Sequence, residues 1–277
     1  GGALTDIVRL FTDEKWQQYK VSKVKNPIVK SFWTKQMAAT GAREKEEMIP
    51  FLAAKFGAFV TNTTMRNIVG QTKSSFDFSE AMNSKKIIFV KLAKGLIGDI
   101  NANLLGMIFV NKIQVAAMRR ASIPKSERQP FFLYVDEFQN FVTDAFESIL
   151  SEARKYRLGL IVAHQYIAQL VKDNNEKVKN AVFGNVGTML NFKIGAQDAE
   201  YMEKEMGPVF ASNDLINLRG FNACIKMSVN NIITPPFSLN TIKDFDKGEK
   251  EITKLATEMS RLKYARNVKY VGPEILA

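Results

Sequence analysis

The chain has 277 residues, 46% of them apolar and 24% charged, which suits one large domain or a domain with a subdomain and excludes wholesale disorder. Lys and Arg total 39 against 28 Asp and Glu, a net charge of +11. That balance points to a polyanion partner such as nucleic acid, nucleotide or an anionic membrane surface, although a basic surface also serves solubility alone.

Taken in chain order, residues 1–66 read as helical. Ile7, Val8, Leu10 and Phe11 recur at helical spacing, and so do Phe32, Trp33 and Met37. Thr12 or Asp13 is placed to cap a helix with Trp16 and Tyr19 on its buried face. Pro27 and Pro50 read as punctuation, and Ala42–Met48 as a solvated helix. The aromatic group Trp16, Tyr19, Phe32 and Trp33 reads as core rather than as a base-stacking platform. From Lys85 the pattern changes. Lys86–Leu92 has the composition of a buried strand, and Ile100–Ala121 that of a long helix with Leu104, Leu105, Ile108, Phe109, Ile113 and Ala116 inward. Arg119 and Arg120 fall in its last turn, where cations suit the helix dipole.

Further strands are expected at Phe131–Val135, Gly159–Ala163, Val186–Ile194 and Phe221–Val229, the last closed by Thr234-Pro235-Pro236. Helices are expected at Phe146–Tyr156, from Ile167, at Asp198–Met206 and at Lys247–Ala265, with a polar loop at Lys172–Lys177. Strands alternating with helices predict βαβ units and a mostly parallel sheet covered on both faces, an α/β fold. A division into a helical subdomain (1–68), an α/β core (69–242) and a charged C-terminal helix and tail (243–277) follows.

The single Cys224 excludes an intrachain disulfide, fits a reducing compartment and reads as a small core residue. With one histidine, His164, no His-rich metal site can form. His164 itself reads as a packed strand-end residue. No apolar run approaches the roughly 20 residues of a membrane span. The first residue is Gly and no signal segment opens the chain, so a processed, engineered or partial chain is expected.

The sharpest chemical signal is FFLYV followed by Asp136 and Glu137. An apolar strand ending in paired carboxylates is the Walker B arrangement. It presents Asp136 to hold Mg²⁺ and Glu137 to polarise water at the carboxyl end of a strand, where ligands bind in open α/β sheets. Many strands end at an acidic turn, so this pair is weak by itself. Gln165 ends the next predicted strand and is placed to sense a γ-phosphate and orient water, or to cap the following helix. Arg154 lies between them at a helix end, as an arginine finger for a neighbouring subunit or as a solvated cation. Lys112, Arg119, Arg120, Lys125 and Arg128 form a basic cluster, suited to DNA tracking or to a solvated helix end.

At LYVDEFQNF, ILSEARKYRLGLIVAHQYIAQL and VFGNVGTMLNFKIG the chain resembles the TraG/TraD family of conjugative coupling ATPases, which stand with FtsK and HerA among RecA-like motors. The likeness extends through NIVGQTKSSFDF and KIIFVKLAKG to PPFS, about Leu4–Asn240. It implies a RecA-like core with an N-terminal region similar to the family's all-α subdomain. It also implies ATP and Mg²⁺ as cofactors, DNA as substrate, a homo-hexamer, and relaxase and secretion-channel partners. The expected location is cytoplasmic, at the inner membrane through an upstream anchor. By motif, Asp136 and Glu137 match the Walker B pair, Gln165 the third-motif glutamine and Arg154 the arginine finger. The family's phosphate loop, G-x-x-x-x-G-K-[ST], has no match. Gly70-Gln71-Thr72-Lys73-Ser74 comes nearest, with Met65 where the first Gly should be. The resemblance therefore implies the C-terminal portion of a motor, and a chain that by itself binds nucleotide poorly and hydrolyses little. The alternatives are a non-catalytic DNA- or protein-binding module on a decayed ATPase fold, or a HerA-like DNA-processing translocase.

Overall fold

The structure, a computed structural model, describes residues 2–142, 145–243 and 248–276, without the side chains of residues 42, 58, 145, 147 and 148. It comprises two compact units. One is formed by Gly1–Asp77, Ala93–Asn101 and Lys250–Ala277, the other by Phe78–Leu92 and Ala102–Glu249.

The described residues of the first unit are helical. Asp13 caps Glu14–Ser22 by accepting the Trp16 N–H at 3.0 Å, and Pro27 opens Pro27–Ser31 at a position that needs no N–H. Asn62 caps Thr63–Val69 in the same way through the Met65 N–H. Two expectations fail here. Pro50 does not end a helix but lies inside Ala42–Thr61, which continues through it at the cost of one backbone hydrogen bond. Tyr19 is 60% exposed, while Trp16 packs between the Arg9 guanidinium and the Lys20 ammonium, at 5.3 and 4.6 Å from its ring. Phe11 and Trp33 pack ring against ring, 5.3 Å apart.

The second unit is α/β, as expected, but its strands form two sheets rather than one. Strands β1 (Phe131–Val135) and β2 (Leu158–Val162) pair in parallel, with Phe131 opposite Leu158 and Val135 opposite Val162. Strands β3 (Thr188–Asn191), β4 (Asn222–Val229), β5 (Ile232–Ile233) and β6 (Phe237–Asn240) form an antiparallel set. The turn after β4 makes one of its antiparallel pairings. Asn230 and Asn231 both adopt positive φ, 52° and 64°, the backbone of a tight two-residue hairpin that Asn tolerates. The chain therefore doubles back at Asn230–Asn231 and does not stop at Pro235. Thr234–Pro236 merely separates β5 from β6, both of which pair with β4. Lys86–Leu92 is not a strand. It is without a ladder partner among the described residues, and its Ile87 and Phe89 are exposed. The charged helix runs over Lys250–Tyr264; the expected start at residue 247 lies outside the described residues. Helices not anticipated from sequence include Lys177–Asn185 and Val268–Leu276.

The main core lies on the parallel pair. Val110, Ile113, Ala116 and Ala117 of helix Asp99–Arg119 meet Val135, Phe138, Phe146, Ile149 and Leu158. Gly106 is required by close approach, since a Cβ there would strike the Phe141 ring. Leu104, Ile108 and Phe109 of the same helix are only half-buried. Helix Ala196–Met206 closes a smaller core over the antiparallel sheet through Ala199, Met202 and Met206 against Cys224, which is the core residue expected.

Arg120, expected at a solvated helix end, is 1% exposed. Its Nη1 donates to the Gln129 carbonyl at 2.8 Å and the Tyr156 carbonyl at 3.1 Å. Its Nη2 donates to the Met82 carbonyl at 2.9 Å and its Nε to Asn83 Oδ1 at 3.0 Å. Gln129 and Tyr156 each stand two residues before the paired strand starts, Phe131 and Leu158, so one guanidinium nitrogen aligns both strands. A buried cation met by four oriented oxygens is stable, whereas truncating it strands those acceptors. Arg120→Ala is expected to destabilise this unit by about 3–5 kcal/mol, and Arg120→Lys, lacking the planar fork, to recover less than half of that. Urea unfolding of the variants measures both.

Candidate functional site

The register of β1 and β2 brings their carboxyl ends level. Ala163 N–H donates to the Val135 carbonyl and Phe138 N–H to the Ala163 carbonyl, both at 3.0 Å, so the chain leaving β1 folds straight back onto the end of β2. Asp136 and Glu137 occupy that turn. Glu137 has φ 49° and ψ 42°, a left-handed conformation that costs a non-glycine residue roughly 1–2 kcal/mol. Its neighbours enforce it. Asp136 Oδ1 accepts the Glu137 N–H at 3.0 Å, the Glu137 carbonyl accepts from Asn140, and Phe138 is fully buried against Phe146 with ring centroids 4.8 Å apart.

The Glu137 carboxylate receives an amide on each oxygen. Gln165 Nε2 donates to Oε1 at 2.7 Å and Gln139 Nε2 donates to Oε2 at 2.6 Å. Gln165 is braced in turn, because Gln169 Oε1 accepts the backbone N–H groups of Gln165 (3.0 Å) and Tyr166 (3.3 Å). Both contacts are made by neutral amides and neither is an ion pair. Gln139 was not singled out from the sequence. Its Oε1 is buried with no hydrogen-bond partner, and its spacing of two residues from Glu137 becomes a contact only through the left-handed turn.

Asp136 is exposed at the strand end, with one oxygen on the Glu137 amide. Among the described residues there is no cluster of three or more His, Cys, Asp or Glu side chains that holds a metal alone. A single exposed carboxylate fits Mg²⁺ held largely by water and phosphate oxygens, the usual manner for that ion.

Arg154 is not brought to this constellation. It follows helix Ala145–Glu152 in the short turn Ala153–Tyr156, and its Nη2 donates to Asn231 Oδ1 at 3.0 Å. Arg154 and Gln165 thus flank opposite ends of β2, about 17 Å of strand apart. The basic cluster also divides. Lys112, Arg119 and Lys125 are exposed, but Arg120 is buried. Arg128 is half-buried, donating to the Ile123 carbonyl at 2.8 Å and to the Lys155 carbonyl at 2.5 Å. Two of its five cations therefore build the scaffold. Gly70 ends helix Thr63–Val69, and a Cβ there would lie 2.5 Å from the Arg66 carbonyl oxygen. No α-helix opens again before Phe78, so Gly70–Ser74 is no phosphate-cradling loop.

His164, between the end of β2 and Gln165, is half-buried. Burial lowers its pKa below the usual 6.5, and the Asp198 carboxylate opposes this less strongly. Asp198 also accepts the Ile167 N–H at 3.1 Å, tying helix Ala196–Met206 to the segment that carries Gln165. A folded-state histidine that binds its proton less readily than the unfolded chain leaves stability intact above pH 6.5 and erodes it as pH falls below that value. Urea midpoints are expected to decline as pH falls below 6.5, and His164→Gln to flatten that decline. An unchanged pH profile in His164→Gln contradicts the assignment.

Comparison with known proteins completes the description. The family model for type IV secretory system conjugative DNA transfer matches residues 16–223, which include β1, β2, Asp136, Glu137, Arg154 and Gln165. A solved structure of a bacterial conjugative coupling protein, TrwBdeltaN70 in its unbound monoclinic form, is similar at 16% identity with a TM-score of 0.40. That match covers 55% of this chain and 38% of that one. The chain thus corresponds to well under half of that protein's length. No match is found among curated proteins. No helix among the described residues is long and apolar enough to cross a membrane. With three quarters of its length within the matched region, the chain belongs to the type IV secretory system conjugative DNA transfer family.

Proposed function

We propose that the chain carries the water-activating side of an ATP site in a motor that moves DNA during conjugation and type IV secretion. The observation that carries the reading is the 2.7 Å hydrogen bond from Gln165 to Glu137 at the level carboxyl ends of two parallel strands. Glu137 accepts the hydrogen bond of a water and then its proton, for which an ionised, rigidly held carboxylate is suited. Gln165 spends one amide hydrogen on Glu137. Its second hydrogen and its carbonyl remain to meet a phosphate oxygen and the same water. Gln139 holds the Glu137 side chain, and Gln169 holds the backbone that carries Gln165. Asp136 is the residue to hold Mg²⁺ through water. When bound, that ion neutralises charge developing on the phosphates.

Arg154, at the far end of β2 from its own Glu137, suits a role toward a neighbouring subunit's nucleotide in a homo-hexamer. The phosphate grip is assigned to sequence outside these 277 residues, as no G-x-x-x-x-G-K-[ST] occurs among them. Membership of the family supports DNA as substrate and, as part of the same proposal, relaxase and channel partners and a place at the cytoplasmic face of the inner membrane. A non-catalytic DNA- or protein-binding module is the second reading, favoured by that missing motif.

Glu137→Gln in the full-length protein separates the two readings. It removes the proton acceptor at the same side-chain size; its one carbonyl oxygen keeps one of the two amide donors, and the other amide has to turn its own oxygen toward the new NH2. Steady-state ATP turnover is expected to fall by about 100-fold or more with ATP still retained. Unaltered turnover overturns the role of Glu137, and absence of any turnover in the parent protein favours the non-catalytic module.

A further inference from the structure

The helix Lys250–Tyr264 buries none of its residues. Ile252 is 59% exposed, Leu255 58%, Met259 70% and Leu262 88%. Tyr264, at its last position, packs edge-on against Phe76 with ring centroids 5.9 Å apart, but the stripe before it is solvated, and a 15-residue helix is marginal in water on so little contact, so the stripe asks for a partner.

The spacing of the stripe identifies the partner's shape. The four apolar residues follow one another at intervals of three, four and three, which are the a and d positions of two heptads. Such a seam is narrower than the face a helix turns toward a globular core or a lipid surface. The residues bordering it identify the partner's charge. Glu258 takes the g position and Lys263 the e position of the next heptad. In a parallel, in-register pair each g side chain meets the e side chain five residues further along the other helix. Glu258 of each copy then meets Lys263 of the other, twice by symmetry. An antiparallel pair opposes Glu258 to Glu258 and Lys263 to Lys263, like against like. Within the chain, Glu258 makes no ion pair among the described residues, and Lys263 lies 5.3 Å from its own Tyr264 ring, a contact it can exchange.

We propose that Lys250–Tyr264 is a two-heptad seam that pairs, parallel and in register, with the same helix of a second copy of this chain. The identical sequence supplies both halves of the seam and both signs of the flanking charge. Two heptads bind weakly alone, so the seam acts with other contacts between copies rather than in their place. The inference rests on this helix alone and stands whether or not Glu137 activates water.

Cysteine cross-linking of the full chain tests it, with Cys224→Ser as background. Leu255→Cys places a thiol at d and Thr257→Cys at the outward f position. Mild oxidation is expected to give a disulfide-linked dimer through residue 255 and little through 257. Glu258→Lys is expected to weaken the 255 cross-link roughly tenfold, and Glu258→Lys with Lys263→Glu in one chain to restore it. Since a cysteine at 255 itself trims the seam, sedimentation of the wild-type chain against Leu262→Glu gives a second readout. Self-association is expected to weaken in Leu262→Glu. Equal cross-linking at 255 and 257, indifference to charge reversal, or a chain that stays monomeric overturns the proposal. So does a monomeric chain that binds phosphatidylserine vesicles through this helix.

Discussion

The parallel register of β1 and β2 is the constraint on which the candidate site depends. Pairing Val135 with Val162 makes the two strands end together, so that Glu137 and Gln165, separated in sequence by a helix and a strand, stand one hydrogen bond apart. A one-residue slip would turn alternate side chains to the other face and part the two groups. Two parallel strands are a poor sheet alone. The register is therefore fixed from outside the ladder, at the amino ends by Arg120 on the carbonyls of Gln129 and Tyr156. It is fixed at the carboxyl ends by the mutual backbone bonds of Val135, Phe138 and Ala163. Arg128 repeats the clamp one residue earlier on each strand, on the Lys155 carbonyl.

Between these fastenings the chemistry is a carboxylate in a frame of amides. Gln139 and Gln165 occupy its two oxygens, and Gln169 braces Gln165. The strained backbone of Glu137 is held by the burial of Phe138 next to it, so the core supplies the energy that keeps the carboxylate in position. The site sits on the short segments that leave the two strand ends, held there by hydrogen bonds from neighbouring groups.

The legible parts of the molecule were those governed by local rules. Asp13 as a cap, Pro27 at a helix start and the apolar runs of β1 and β2 specify their own conformation. The pair of carboxylates after an apolar strand is legible as a pattern, but the left-handed turn that positions Glu137 is not. The parts that resisted depend on distant partners. Lys86–Leu92 has the residues of a strand, but a strand exists only with a neighbour to bond to. Arg120 looks like any cation in a last helical turn, because the four oxygens that bury it come from Met82, Asn83, Gln129 and Tyr156. The positive φ of Asn230 and Asn231 makes the β4–β5 hairpin, one of three antiparallel pairings where a parallel sheet was expected. Gln139 stayed hidden because its contact is made by a turn, not by spacing along a regular element.

The central claim is that Glu137 and Gln165 act together on a water. Gln165→Ala in the full-length protein tests it most directly, through single-turnover ATP cleavage and ATP affinity measured on the same preparation. The account predicts a fall in cleavage rate of about 100-fold with ATP affinity changed by less than about threefold, because Gln165 is assigned to the transition state and not to ground-state binding. A loss of affinity with the cleavage rate preserved would contradict it and reduce the contact at the strand ends to a structural one.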